Sequence, residues 1–289
     1  VAAALTLGAC GGSDEPLPVD RGAQRRQERI DRLERKVDAL KAHRRRDSRP
    51  TGGFDRFAAG LDGQVGVTLG APGKGPVTRL GKLAGGSAWS TMKVPIAIRV
   101  LDRGASAVQR SEIARALTAS DNSAADSLFA SLGAPTAAAQ AVTEVLRSAG
   151  DGSTQVSSAG RGSFSPYGQT DWSLEAQHRF MAALAGGCVG KPASRSTVLG
   201  LMGKVTSDRW GLGSAGAPAR WKGGWGPGTD GRYLVRQMGV IDTSSGPLVV
   251  TLAAVASDGS FESGQGLATE LAGWAAANGR SKAGRGRGC

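Results

Sequence analysis

The sequence predicts an α+β domain: one antiparallel sheet with strands from both ends of the domain, and a block of helices between them as a second lobe. Three observations carry this. Gln64–Leu69 alternates with the two-residue period of a strand, and Val77–Leu80 reads as its hairpin partner across a Gly-Pro turn. Three further strand candidates, Ala219–Trp225, Tyr233–Asp242 and Pro247–Ser257, follow one another late in the chain and lead into an amphipathic helix over Gly264–Ala277. Between the two groups the patterns are helical, and no internal repeat is present.

The residues before this domain read as an address and a spacer. Val1–Ala9 is apolar and small, and Leu7-Gly8-Ala9-Cys10 resembles a bacterial lipobox, in which a peptidase cuts before the cysteine and its thiol takes a diacylglycerol. With no Met and no basic segment ahead of it, the stretch 1–10 reads as a signal peptide truncated at its start. A buried strand with a free cysteine is the competing reading. Lipidation of Cys10 implies an exported protein, extracytoplasmic and anchored to the cell membrane by its lipid. Residues 11–21 open on Gly-Gly-Ser and form a flexible spacer. Residues 22–47 form a basic helical linker, with Ile30, Leu33, Val37 and Leu40 on one coiled-coil seam. Two heptads allow a homodimer through this helix without assuring one. About 25 helical residues at ~1.5 Å each would hold the domain roughly 37 Å away.

Charge and composition exclude several classes. The 289 residues carry a net +12, yet residues 21–49 alone hold 12 Lys/Arg against 5 Asp/Glu. Arg280, Lys282, Arg285 and Arg287 lie in a basic tail, 279–289, so the long central stretch is nearly balanced. A nucleic-acid partner is therefore not expected. No apolar run is long enough to span a bilayer. Two histidines, His43 and His178, argue against a His-rich metal site and a Ser-His-Asp triad. Cys10, Cys188 and Cys289 form no CxxC pair, so no metal or cofactor is expected. Outside the cell Cys188 and Cys289 could pair and pin the tail; two free thiols is the alternative.

Within the domain, 54–278, Gly85-Gly86-Ser87 breaks the chain before a helix from about Ser90 to Asp102. Ser111–Leu117, Ser123–Leu132, Thr136–Ser148, Leu174–Leu184 and Ser196–Lys204 read as further helices. Gly150–Gly168 is a Gly/Ser-rich loop. His178 is expected at a surface or capping position. Gln169-Thr170-Asp171-Trp172 reads as a turn, or as part of a cleft floor.

Three short motifs bear on chemistry. Ser90-Thr91-Met92-Lys93 puts a hydroxyl and an amine one helical turn apart, facing the same way. A serine hydroxyl attacks only when a base takes its proton, and a lysine whose charge is disfavoured can be that base. Ser90 is the only serine in the chain with Lys three positions on. Ser120-Asp121-Asn122 lies between two helices and by itself reads as a cap. Lys222-Gly223-Gly224 lies on a strand before Trp225 and by itself reads as a Gly-tolerant edge.

Together and in this order, the three resemble the penicillin-recognising serine enzymes, that is, class A β-lactamases and low-molecular-weight penicillin-binding proteins. The flanks agree: Lys93-Val94-Pro95, Asp121-Asn122-Ser123-Ala124-Ala125, Trp210-Gly211-Leu212-Gly213 ahead of Lys222, and the strand Arg232–Ile241 after it. The resemblance implies a β-lactamase/transpeptidase-like α/β three-layer fold: a five-stranded antiparallel sheet flanked by helices, plus an all-helical lobe. It implies Ser90 as the acylated nucleophile, Lys93 as its base, Ser120 as a proton relay and Lys222 as the source of a positive field. Asn122 would bind the substrate amide, beside Gly223, Gly224 and Trp225. The N–H groups of Ser90 and Trp225 would form an oxyanion hole, each donor worth roughly 3–4 kcal/mol in the transition state.

Three departures shape the expected function. Class A enzymes use a loop glutamate to activate the deacylating water, and no Glu lies between Glu144 and Glu175; Asp151 and Asp171 are the only acids of that loop. Gly223 replaces a hydroxyl residue that normally holds the substrate carboxylate, a loss of about 1.5–3 kcal/mol. Ser120 follows Ser90 by only 30 positions, so the helical lobe is trimmed. The expectation is a lipid-anchored acyl-enzyme hydrolase of peptidoglycan-type peptides, β-lactams or related esters and amides, with poor β-lactam turnover. The alternative is a non-catalytic lipoprotein of the same fold that binds wall or partner molecules.

Overall fold

In the computed structural model, residues 53–207 and 209–282 are described, together with residues 30, 286, 288 and 289. The sheet starts from β1 (Gly63–Gly70), whose even and odd positions face different layers. Val65, Val67 and Leu69 enter an apolar cluster with Leu267, Leu271 and Trp274 of the last helix, α8 (Phe261–Lys282). Thr68, on the other face, meets α6 (Leu174–Gly186) at His178. The sheet is thus covered on both faces, which is why β1 is buried almost throughout. The strands β2 (Thr78–Gly81), β5 (Ala219–Pro227), β6 (Tyr233–Thr243) and β7 (Gly246–Ala256) complete it in the order β2-β1-β7-β6-β5, all pairs antiparallel. The five-stranded sheet with helices on both faces is the fold the sequence predicts.

The helical block comprises α2 (Lys93–Asp102), α3 (Ala107–Thr118), α4 (Asn122–Ala130), α5 (Pro135–Ser148), α6 and α7 (Pro192–Met202). Its core gathers Ile96, Ile98, Ile113, Leu117, Leu128, Val142 and Phe180, all nearly or fully buried. Several boundaries differ from expectation for local reasons. The helix α3 begins at Ala107, four residues early, because Ser106 and Gln109 cap each other's backbone reciprocally. Pro192, free of the need to donate, opens α7. The helix expected from Ser90 is a 3-10 turn over Trp89–Met92, and regular α geometry starts only at Lys93.

Two elements are absent from the sequence reading. One is a short helix, α1 (Phe54–Ala59), whose Phe54 packs edge-on to Trp274 at 4.9 Å. The other is a two-stranded sheet of β3 (Gly85–Ser87) and β4 (Asp171–Ser173), where a chain break and a turn are expected. It brackets the loop that joins α5 to α6. That loop is organised by Asp151, a fully buried carboxylate. One oxygen accepts from the Ser153 N–H, the Ser153 hydroxyl and the Thr154 N–H, at 3.0–3.1 Å. The other accepts from the Trp172 indole at 3.0 Å. Deleting such a group takes the partner from four donors, two of them, the Thr154 N–H and the Trp172 indole, buried. Asp151→Ala is therefore expected to lower stability by about 3 kcal/mol, read as a lower urea midpoint at unchanged slope.

Cys188 and Cys289 are joined by a disulfide with Cα atoms 5.3 Å apart. The lipobox with Cys10, the flexible spacer and the helical linker, Ile30 apart, lie outside the described residues.

Candidate active site

Ser90 sits on the 3-10 turn between β3 and α2, and three contacts fix that turn. The Ala88 N–H donates to the Thr170 carbonyl at 2.8 Å. The Thr91 hydroxyl donates to the Ala88 carbonyl and accepts from the Gln177 amide at 2.9 Å. Gln177 in turn accepts from Arg236 at 2.9 Å. Arg236, fully buried on β6, also donates to the carbonyls of Gly86, Ser87 and Trp172 at 2.7–3.0 Å. Burial pulls its pKa down to about 9, opposed by Asp171, so it remains a cation at neutral pH. The sequence reading misses this Arg236–Gln177–Thr91 chain. A lone arginine inside a strand pattern gives no sign that four acceptors converge on it.

β5 closes the turn from the other side. A Cβ added to Gly224 would stand 2.8 Å from the Ser90 nitrogen, 2.9 Å from the Thr91 nitrogen and 3.0 Å from the Ala88 oxygen. Only glycine lets the strand approach so closely. Gly224→Ala is expected to push the strand and the turn apart and slow acylation of Ser90 by about 10²-fold. The check is the labelling rate with far-UV dichroism unchanged. Gly223 is buried beside it, and Trp225, next along the strand, is 42 % exposed and packs on Phe261 at 4.4 Å between ring centres.

The two lysines meet at Ser120. Lys93, 2 % exposed, donates to the Ser120 carbonyl at 2.5 Å and to Asn122 Oδ1 at 2.7 Å, with Ser120 Oγ at 3.4 Å. Lys222, fully buried, donates to Ser120 Oγ at 2.9 Å and to the Gly223 carbonyl at 2.8 Å. One hydroxyl therefore bridges two amines that are 129 positions apart in the chain. Asp121 takes the capping role: its carboxylate accepts from the Ala124 N–H at 3.0 Å. That bond, then Arg115, holds its pKa below the usual carboxylate value. Ser120 and Asn122 are left to face the lysines. Among the described residues the only non-glycines at positive φ are Trp89 (49°) and Ser120 (58°), one beside each reacting segment. Such backbone costs about 1–3 kcal/mol per residue and persists only where surrounding contacts enforce it.

A profile of the beta-lactamase enzyme family matches residues 106–272, more than half of the chain. The chain belongs to the β-lactamase family. The matched stretch holds Ser120, Asn122 and Lys222; Ser90 and Lys93 precede it. No curated protein matches the sequence. Among solved structures, a β-lactamase from Chitinophaga pinensis superposes with a TM-score of 0.64 at 20 % identity, covering 82 % of this chain and all of that one. A β-lactamase from Sphaerobacter thermophilus gives 0.59 at 22 % identity, covering 76 % and 92 % of the two chains. A mutant class A β-lactamase of the last common ancestor of Gram-negative bacteria gives 0.61 at 22 %, covering 76 % and 94 %. At these identities the likeness concerns the fold.

Against that β-lactamase frame, the loop between α5 and α6 carries no glutamate, and its two acids are Asp151 and Asp171. Asp151 is spent on the loop and Trp172, while Asp171 is exposed on β4, its backbone in register with Ser87 at the end of β3 that leads into the Ser90 turn. The loop instead seals the turn with rings. Phe164 meets Trp89 edge-on at 5.1 Å, and Arg161, lying 4.9 Å over Phe164, donates to the Pro227 carbonyl at the end of β5. The Tyr167 phenol donates to Asp126 of α4 at 2.7 Å; burial, then Asp126, raises its pKa. His178 is not at the expected surface or capping position but 1 % exposed, its Nδ1 3.0 Å from the Thr68 hydroxyl.

Proposed function

We propose that the protein is a serine acyl-enzyme hydrolase working outside the cell on peptidoglycan-type peptides, β-lactams or related esters and amides. Lys93, one turn on from Ser90, donates to Ser120 and Asn122, and Lys222 donates to the same Ser120; this meeting supports the reading above all other observations. Ser90 Oγ attacks the substrate carbonyl carbon as its proton passes to Lys93. The oxyanion that forms accepts from the N–H groups of Ser90 and Trp225, on the turn and strand that Gly224 holds together. Ser120, between the two amines, carries the proton on to the leaving nitrogen, and Asn122 holds the substrate amide. Water then cleaves the acyl ester, slowly, for want of a loop glutamate. Gly223 offers no hydroxyl to a substrate carboxylate, which favours substrates that do not depend on one.

The test is intact-mass measurement after exposure to a fluorescent penicillin and, separately, a fluorophosphonate. One covalent adduct per chain is expected with at least one reagent. No adduct with either would favour a non-catalytic binding protein of the same fold.

The membrane anchor rests on Leu7–Cys10 followed by Gly-Gly-Ser. Among the described residues no helix is long and apolar enough to cross a membrane. In the native host, Cys10→Ser is expected to move the protein from the membrane fraction to the soluble one. Retention equal to wild type would refute lipidation as the anchor, and release by salt would assign retention to the basic linker.

A further inference from the structure

A cavity of about 430 Å³ lies between the β1–β2 connection, the end of α5 and α6, and none of its described lining residues belongs to the Ser90 site. Its wall includes His178, whose protonation pattern follows from a hydroxyl relay. Thr251 Oγ1 donates its one proton to the Leu174 carbonyl at 3.0 Å. The contact between the Thr251 and Thr68 hydroxyls must then be donated by Thr68. With that proton spent, Thr68 Oγ1 can only accept, so His178 Nδ1, 3.0 Å away, carries the proton. His178 Nε2 is left a bare acceptor. Burial, then Arg179, pushes the imidazole pKa down to about 3, so the ring stays neutral and this pattern persists at neutral pH. The ring packs against Gly70, where a Cβ would stand only 2.5 Å from Nε2.

Around this acceptor the cavity is cationic. Lys74, Arg147 and Arg179 line it, and its described lining holds no carboxylate. Arg147 is committed in part to the Asp151 carbonyl at 2.6 Å and to Gln155 at 3.0 Å, and Arg179 has Glu175 at 3.8 Å. The charge selects an anion. The bare nitrogen selects, among anions, one that brings a proton of its own. Sulfate at neutral pH has no such proton, whereas hydrogen phosphate has one. We propose that this cavity is a binding site for hydrogen phosphate, distinguished from sulfate by a P–O–H bond to His178 Nε2.

The test is calorimetric titration of the full chain with inorganic phosphate and with sulfate at neutral pH and equal ionic strength. Phosphate is expected to bind at least about tenfold more tightly, the weight of one hydrogen bond to a charged group. Equal affinities, or no binding of phosphate, would overturn the proposal. His178 is too buried for substitution to be a safe test, so the exposed cations serve. Lys74→Gln with Arg179→Gln is expected to weaken phosphate several-fold while leaving the fold intact; unchanged phosphate affinity would overturn the assignment. A direct readout is ¹⁵N-histidine NMR, simple here because His43 is the one other histidine. The Nε2 signal of His178 should be that of an unprotonated nitrogen and should shift with phosphate but not with sulfate. A protonated Nε2 in the free protein, or no shift with phosphate, would refute the relay.

Discussion

Ser90→Ala is expected to take up no label from either a fluorescent penicillin or a fluorophosphonate, while the wild type gains one adduct. The effect is all or none because the variant has no atom at that place that can form the ester. The rest of the machinery should survive. Lys93 would still be held by the Ser120 carbonyl and Asn122, and Gly224 would still close on the Ser90 amide, since those contacts use backbone or other side chains. Unchanged melting behaviour with lost labelling therefore assigns the loss to chemistry. Lys93→Met provides a graded companion. The nucleophile remains but its base is gone, for which about 10²–10⁴-fold slower acylation is expected. Labelling that persists in Ser90→Ala would place the reactive residue elsewhere and remove the reason for linking Ser90 to Ser120.

The motifs were legible because they sit at punctuation. Ser90 follows a Gly-Gly-Ser break, Ser120-Asp121-Asn122 separates two helices, and Lys222 precedes a pair of glycines, all marks that local sequence carries. Capping and the candidate chemistry turned out to be shared among neighbours, with Asp121 capping α4 while Ser120 and Asn122 meet Lys93. What stayed hidden depends on distant partners. Trp89 and Ser120 take positive φ because tertiary contacts hold them there, and neither residue type announces it. β3 is three residues with two glycines, so no side-chain alternation marks it; its pairing with β4 is fixed by the Arg236 guanidinium. His178 looked polar and peripheral because its partner, Thr68, is 110 positions away on β1. The early start of α3, by contrast, was written locally in Ser106 and Gln109 and was readable from the capping pattern.

With a chromogenic β-lactam such as nitrocefin, the protein is expected to release at most about one equivalent of product and then stall as a long-lived acyl-enzyme. Acyl transfer has two halves, and each requires a proton acceptor near Ser90. In the proposed reaction Lys93 serves the first. The second requires a base that draws a proton from water attacking the ester, and in class A enzymes a loop glutamate does this. Here the loop has no glutamate. Asp151 is fully buried with both oxygens bonded, and Asp171 is exposed on β4, opposite Ser87. Tyr167, which packs near the turn, donates to Asp126, and its raised pKa keeps it protonated and unfit as a base. Lacking a general base costs about 10²–10⁴-fold in deacylation. Gly223 should slow the preceding step as well, by weakening the hold on the β-lactam carboxylate, so the burst itself should be slow. The measurement is a nitrocefin time course read against enzyme concentration, with the adduct followed by mass until it decays. Steady hydrolysis at many turnovers per second would contradict this, and would mean that Lys93 or Asp171 serves as the second base.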